Sequence, residues 1–129
     1  MRVQTRNREN QSGKFLGAGK TEIYYQSWHP DLTSRAVLVI VHGLGAHSGI
    51  FRQLAEFVCD RKITVYALDL RGHGRSEGQR GHINSWSEFR QDLNAFIQLV
   101  ATKEPTLPLY LLGQSLGGAI SLDLSLIHI

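Results

Sequence analysis

Apolar positions along this chain fall into two rhythms. Three short runs are almost free of polar interruption: residues 36–41 (AVLVIV), 63–68 (ITVYAL) and 109–112 (LYLL). Runs of this length, rich in β-branched residues, predict strands covered on both faces, as in a parallel sheet, and Pro105 and Pro108 bound the last of them. Between the runs the period changes. Phe51, Leu54, Ala55 and Val58 recur at i, i+3, i+4, i+7, and Trp86, Phe89, Leu93, Phe96, Ile97 and Val100 form a longer stripe, so each connection is expected to carry a helix. The longer stripe opens with Ser85-x-x-Glu88, a capping box. Alternating strands and helices of these lengths predict right-handed crossovers and a parallel sheet. Upstream, Phe15-Leu16 and residues 23–28 flank Gly17-Ala18-Gly19, which predicts an antiparallel hairpin ahead of the parallel part.

Residues with chemical potential gather where these strands end. Gly113-Gln114-Ser115-Leu116-Gly117 is a G-x-S-x-G pentapeptide between a predicted strand and a helix signalled by Leu116, Ala119 and Ile120. That is the setting of a nucleophile elbow, in which a sharp, strained turn makes the serine hydroxyl project. Glycine at Gly113 and Gly117 is expected to leave room for chain and substrate. The N–H of Leu116, at the helix start, is placed to meet a developing oxyanion. His42-Gly43-Leu44-Gly45 follows the first parallel strand; alone it reads as a turn with a structural histidine, but beside an elbow the N–H of Leu44 becomes a second oxyanion donor. The next strand ends in Asp69-Leu70-Arg71-Gly72-His73-Gly74-Arg75-Ser76. Three loops thus share one sheet edge, the place where open α/β sheets bind ligands.

With these segments the chain resembles the α/β-hydrolase superfamily, and within it the monoacylglycerol lipase and lysophospholipase branch (serine aminopeptidase S33-like, Hydrolase_4). Ser48-Gly49-Ile50-Phe51 and Gly78-Gln79-Arg80-Gly81 are similar to that branch in order and spacing, while Gln114 departs from it, since the branch commonly has His before the serine. The resemblance runs from about Lys14 to Asp123. It implies the N-terminal half of an α/β-hydrolase domain of roughly twice this length, with Ser115 as nucleophile, Leu44 and Leu116 as oxyanion donors, a small lipid ester as substrate and no cofactor or metal. A same-fold acyltransferase or peptidase, and a non-catalytic interaction fragment, remain open alternatives.

A serine hydroxyl needs a histidine to take its proton and a carboxylate to orient that histidine. In this fold they follow the serine, acid first. After Ser115 come only Asp123 and His128. Asp123 is expected two helical turns on, pointing away from the elbow, and His128 sits in the last three residues. His29, His47, His73 and His82 lie in turns and loops where structural roles are expected. Asp69 is expected to hold its own loop through backbone N–H groups, with Arg71 beside it. Triad acid and histidine are therefore expected to be absent and the chain, as it stands, inactive. The expected organisation is a basic tail at 1–13, a partial α/β-hydrolase domain at 14–123 truncated after the elbow, and a tail at 124–129. That tail matches one reading frame of a transposon-end adapter and is expected to be non-native. The strand at 109–112, central in the family's sheet, is expected to become a bare apolar edge.

Two motifs imitate nucleotide sites. Gly17-Ala18-Gly19-Lys20-Thr21 ends like a phosphate-binding P-loop, but Lys14 stands where the first glycine is needed and a strand follows. Gly43, Gly45 and Gly49 with Asp69 imitate a dinucleotide fingerprint, yet the third glycine comes one residue late. The net charge of +3 is concentrated before Thr21, where Arg2, Arg6, Arg8, Lys14 and Lys20 outweigh Glu9. This reads as a solvated basic tail, at most a weak peripheral contact for an anionic membrane. Nucleic-acid binding finds no aromatic or motif support. No apolar leader segment or membrane-length run is present, no Cys/His cluster suggests a metal, and the lone Cys59 is expected to be a small buried hydrophobe; a cytoplasmic location is expected.

Overall fold

The computed structural model describes residues 10–127. A mixed sheet of five strands runs through it in the order β1-β2-β4-β3-β5. β1 (Asn10–Leu16) and β2 (Glu22–Trp28) form the expected antiparallel hairpin, with Leu16 opposite Glu22 and Asn10 opposite Trp28. β3 (Ala36–Val41) lies parallel to β4 (Ile63–Leu68) on one side and to β5 (Leu109–Gly113) on the other. β2 also pairs antiparallel with β4, Tyr25 against Leu68, and this joins the hairpin to the parallel part. Strands ending in the same direction leave the loops after Val41, Leu68 and Gly113 together, which is what the site requires.

Three helices cover the sheet. On one face α2 (Trp86–Lys103) and α3 (Leu116–Ile127) bury Phe89, Leu93, Phe96, Val100, Ile120 and Leu124 against Val37, Val39, Val41, Tyr66 and Leu68. On the other, α1 (Arg52–Cys59) packs Ala55 and Cys59 over Ile40, Val65, Ala67 and Trp28. Neighbours such as Val39 and Ile40 therefore enter different cores, as the two-residue period of a strand dictates. α2 opens with the expected capping box: Ser85 and Glu88 each accept from the other's backbone N–H. Cys59 is buried, as expected.

Several expectations are corrected. β5 is not buried on both faces but forms the bare apolar edge that was also expected: as the terminal strand of the described sheet it leaves Tyr110 61% and Leu112 40% exposed, because α2 and α3 cover only the face of Leu109 and Leu111. Leu54 points to solvent, since the eight-residue α1 lies on the sheet through Ala55 and Cys59 instead. Trp86 sits at the rim and donates its Nε1–H to Asp123 at 3.1 Å. β1 begins at Asn10, so residues 10–13 of the expected tail ladder with residues 25–28; the rest of that tail, with Arg2, Arg6 and Arg8, lies outside the described residues. α3 runs without a break across the boundary drawn at Asp123, and Leu124 is buried.

Buried charge ties the hairpin to α2. Arg71 reaches Asp92 through Nε at 2.7 Å and Nη2 at 2.9 Å, a two-pronged guanidinium–carboxylate pair, and also bonds Glu88. Asp92 accepts the N–H of Ala18 at 2.8 Å, while the Ala18 carbonyl accepts Arg71 Nη2 at 2.8 Å. Asp92 is fully buried and Arg71 nearly so. Arg71 thus spends its guanidinium on α2 and the hairpin turn, and its carboxylate partners are Glu88 and Asp92. No helix among the described residues is long and apolar enough to cross a membrane.

Candidate active site

Ser115 is held between β5 and α3 at φ 53°, a left-handed conformation costly for any residue but glycine. Its surroundings enforce the turn. The N–H of Gln114 donates to the Val41 carbonyl at 3.0 Å, and Gly117 N–H returns to the Gln114 carbonyl at 2.9 Å. A Cβ on Gly117 would overlap the Val41 carbonyl oxygen, and one on Gly113 would meet the backbone of Gly117 and Gly118. Both glycines thus make room for neighbouring chain. Ser115 itself is exposed.

The loop after β3 comes directly against this serine. A Cβ placed on Gly43 would lie 3.2 Å from Ser115 Cβ and 3.1 Å from the Gln114 carbonyl oxygen, so Gly43, Leu44, Ser115 and Leu116 form one locality. Neither the N–H of Leu44 nor that of Leu116 is engaged by another described group, and Leu44 is 69% exposed. An open cleft of about 420 Å³ adjoins Leu44, lined also by Ala46, His47, Gly72 and His73.

Two buried side chains fix that loop. His42 Nδ1 lies 2.7 Å from the Gly43 carbonyl and Nε2 accepts the Leu70 N–H at 2.9 Å. A ring nitrogen that accepts carries no proton, so the proton is on Nδ1, donated to Gly43, and the ring is neutral. Asp69 works alongside. Its Oδ1 accepts Ser48 N–H at 2.6 Å and its Oδ2 accepts Arg75 N–H at 2.9 Å. Asp69 therefore holds its own loop, as expected, and the loop after β3 as well. His42 was assigned only a structural role by sequence; its bridge to Leu70 depends on a contact between two strand ends that no local pattern signals.

The other described histidines have partners of their own. Among the described residues no histidine or carboxylate bonds Ser115: His47 Nδ1 accepts Gly49 N–H, His73 Nδ1 meets the Arg71 carbonyl, and His29 and His82 pair with Ser27 and Asn84. Asp123 faces Trp86 and Arg90 on α2, away from the elbow. His128 lies outside the described residues. No group of three metal-ligating side chains occurs among those described.

The neutral His42 makes the fold sensitive to acid. Burial is the main influence and lowers its pKa below the ordinary 6.5, against a smaller opposite pull from the Gly43 carbonyl. Burial lowers half-buried His29 as well, with Glu104 opposing. The unfolded chain then takes up protons first, so stability is intact above pH 6.5 and declines as pH falls from there toward the folded-state values. Urea unfolding midpoints followed downward from above pH 6.5 should therefore decrease, and a midpoint that holds flat or rises would contradict this assignment of His42.

Comparison with known proteins agrees with this geometry. The family model described as serine aminopeptidase, S33 (Hydrolase_4) matches residues 33–128. The chain is 42% identical over 106 residues to a monoacylglycerol lipase of Mycolicibacterium smegmatis, an alignment covering 82% of this chain and 38% of that protein. It is 35% identical over 100 residues to human monoglyceride lipase, covering 78% of this chain and 33% of the relative. Among solved structures, a soluble variant of monoglyceride lipase from Saccharomyces cerevisiae in complex with a substrate analog superposes with a TM-score of 0.76 at 25% identity, over 95% of this chain and 40% of that one. The chain thus spans well under half the length of the relatives it matches.

Proposed function

Because the chain belongs to the Hydrolase_4 family of α/β-hydrolases, described as serine aminopeptidase S33, we propose that it is the nucleophile-bearing portion of a serine hydrolase for carboxylic esters of lipids. The substrate class is monoacylglycerol or lysophospholipid, and the names of the relatives at 42% and 35% identity support the first of these. One observation carries the reading: an exposed serine at φ 53° between strand and helix, with a glycine loop pressed against it.

Chemistry follows from the placement. Ser115 Oγ attacks the ester carbonyl carbon, and the carbonyl π electrons move onto oxygen. The N–H groups of Leu44 and Leu116 donate to that oxyanion. Collapse expels the glycerol-side alkoxide, which takes a proton, and water then releases the fatty acid from Ser115. Each transfer of the serine proton needs a general base that the described residues do not provide, so the 129 residues alone are proposed not to turn over.

A second reading has a specific basis, since the family's own description is that of an aminopeptidase. The separating experiment extends the gene product to the length of its relatives and offers it a monoacylglycerol, a lysophospholipid and an aminoacyl amide. Hydrolysis of the lipid esters at a kcat/KM at least about 100-fold above that of the amide supports the proposal. Preference for the amide replaces it with the peptidase reading, and acyl transfer to an alcohol in place of water with an acyltransferase. No reaction at all leaves a non-catalytic interaction fragment.

A further inference from the structure

A cavity of about 500 Å³ lies away from the elbow. It lies on the α1 face of the sheet beside β2, and neither Ser115 nor Leu44 lines it. Its wall is rich in hydrogen-bond donors. Arg75 holds its guanidinium 5.4 Å from the centre of the Tyr24 ring and has no carboxylate partner among the described residues. Arg52, at the start of α1, gives its Nε to Glu56 at 3.1 Å and keeps its terminal N–H groups. His47 accepts Gly49 N–H on Nδ1, so in the neutral ring Nε2 carries the proton and donates.

Trp28 adds the sharpest signal. It lines the same cavity, is 1% exposed, and its indole N–H finds no acceptor among the described residues. An indole nitrogen only donates, and a buried donor without an acceptor is rare in native structures. The one carboxylate on the wall, Asp69, already turns both oxygens to backbone N–H groups of Ser48 and Arg75. Start of a helix, two guanidinium groups, an imidazole and an indole all present positive hydrogen.

We propose that this cavity is a binding site for a phosphate group. The four kinds of donor come from different sides of one space, a spread that the three or four oxygens of a tetrahedral phosphate match better than the two coplanar oxygens of a carboxylate. Arg75, stacked on Tyr24 and unpaired, is its principal cation. The source is either free phosphate or the headgroup of a lipid phosphomonoester. The proposal is independent of the ester chemistry at Ser115.

Trp28 supplies a built-in reporter. In the full 129-residue chain, tryptophan fluorescence is titrated with inorganic phosphate against chloride at matched ionic strength. Sedimentation with phosphatidylcholine vesicles containing phosphatidic acid, or oleate as an anion without phosphate, tests the lipid source. A saturable phosphate response that Arg75→Ala weakens by about tenfold, and Arg75→Lys by less, supports a free-phosphate site. Silence to inorganic phosphate with Arg75-dependent binding to phosphatidic acid supports a headgroup site. Equal binding by native protein and Arg75→Ala, no binding to either probe, or oleate vesicles matching phosphatidic acid overturns the proposal. Arg75 is exposed, and circular dichroism of each variant confirms that the comparison is between folded chains.

Discussion

Ser115→Ala is expected to lower kcat for ester hydrolysis by on the order of 10⁵ to 10⁶ in a protein extended to the length of its relatives, with KM little changed. The hydroxyl forms its bond to substrate only on the way to the transition state, so its loss falls on kcat rather than on binding. What survives is the polarising effect of the Leu44 and Leu116 N–H groups, about 10³ to 10⁴ over water. A fluorophosphonate probe reads the same residue directly. The alanine variant should take no label, and the 129-residue chain should label slowly, because a hydroxyl with no histidine to receive its proton is a poor nucleophile. Labelling of that chain at the rate of a complete serine hydrolase would refute the absence of a base; a kcat for Ser115→Ala within tenfold of the native value would remove Ser115 from the mechanism altogether.

Asp92→Ala should be the most destabilising single change, by about 3–5 kcal/mol, set against a total of roughly 5–15 kcal/mol for a small domain. The substitution leaves the buried Arg71 with Glu88 as its one carboxylate among the described residues and strips the Ala18 N–H of its acceptor. Urea unfolding followed by circular dichroism measures it directly. A loss under about 1 kcal/mol would mean that water reaches Arg71 and that the network is not buried in solution. The double change Arg71→Met with Asp92→Leu should recover much of the loss, because apolar residues of similar volume leave no unpaired charge. Failure of that recovery, with a normal core elsewhere, would point instead to the Ala18 bonds as what holds the hairpin turn.

Elements whose signal is local were readable in the chain. The unbroken apolar runs of β3 and β4 say that both faces are covered, and the Phe89-Leu93-Phe96-Val100 stripe says which face of α2 is buried. What escaped depended on partners distant in sequence. An apolar run does not reveal whether a strand has one neighbour or two, so LYLL alone reads as covered on both faces; the bare edge at Tyr110 and Leu112 was expected only through the family resemblance and the truncation it implies. The pairing of β2 with β4 joins residues some forty positions apart and carries no turn signature. In α1 the short helix packs by its smallest residues, Ala55 and Cys59, and this displaced Leu54 from the core that its spacing assigned to it.

At the site, motif and structure meet most closely in Ser115, Gly43 and Asp69, whose roles follow from turn chemistry. The Arg71–Asp92–Glu88 cluster was missed, although a signal existed. Glu88 and Asp92 stand four apart on the helix, and Asp92 adjoins Leu93 of the buried stripe. Two carboxylates so close to a core face call for a cation, and Arg71 supplies it.

Asp69 also bears on when the work of orienting the site is done. A carboxylate that grips Ser48 on one loop and Arg75 on the other makes the two loops a single rigid body, so the direction of the Leu44 amide is settled while the chain folds. Water that stabilises a developing charge must reorient at each encounter, at a cost in free energy. In the proposed reaction, a dipole already aimed and locked would bear no such reorganisation cost when an ester arrives, and in that sense part of the activation barrier would be removed by the folding reaction itself.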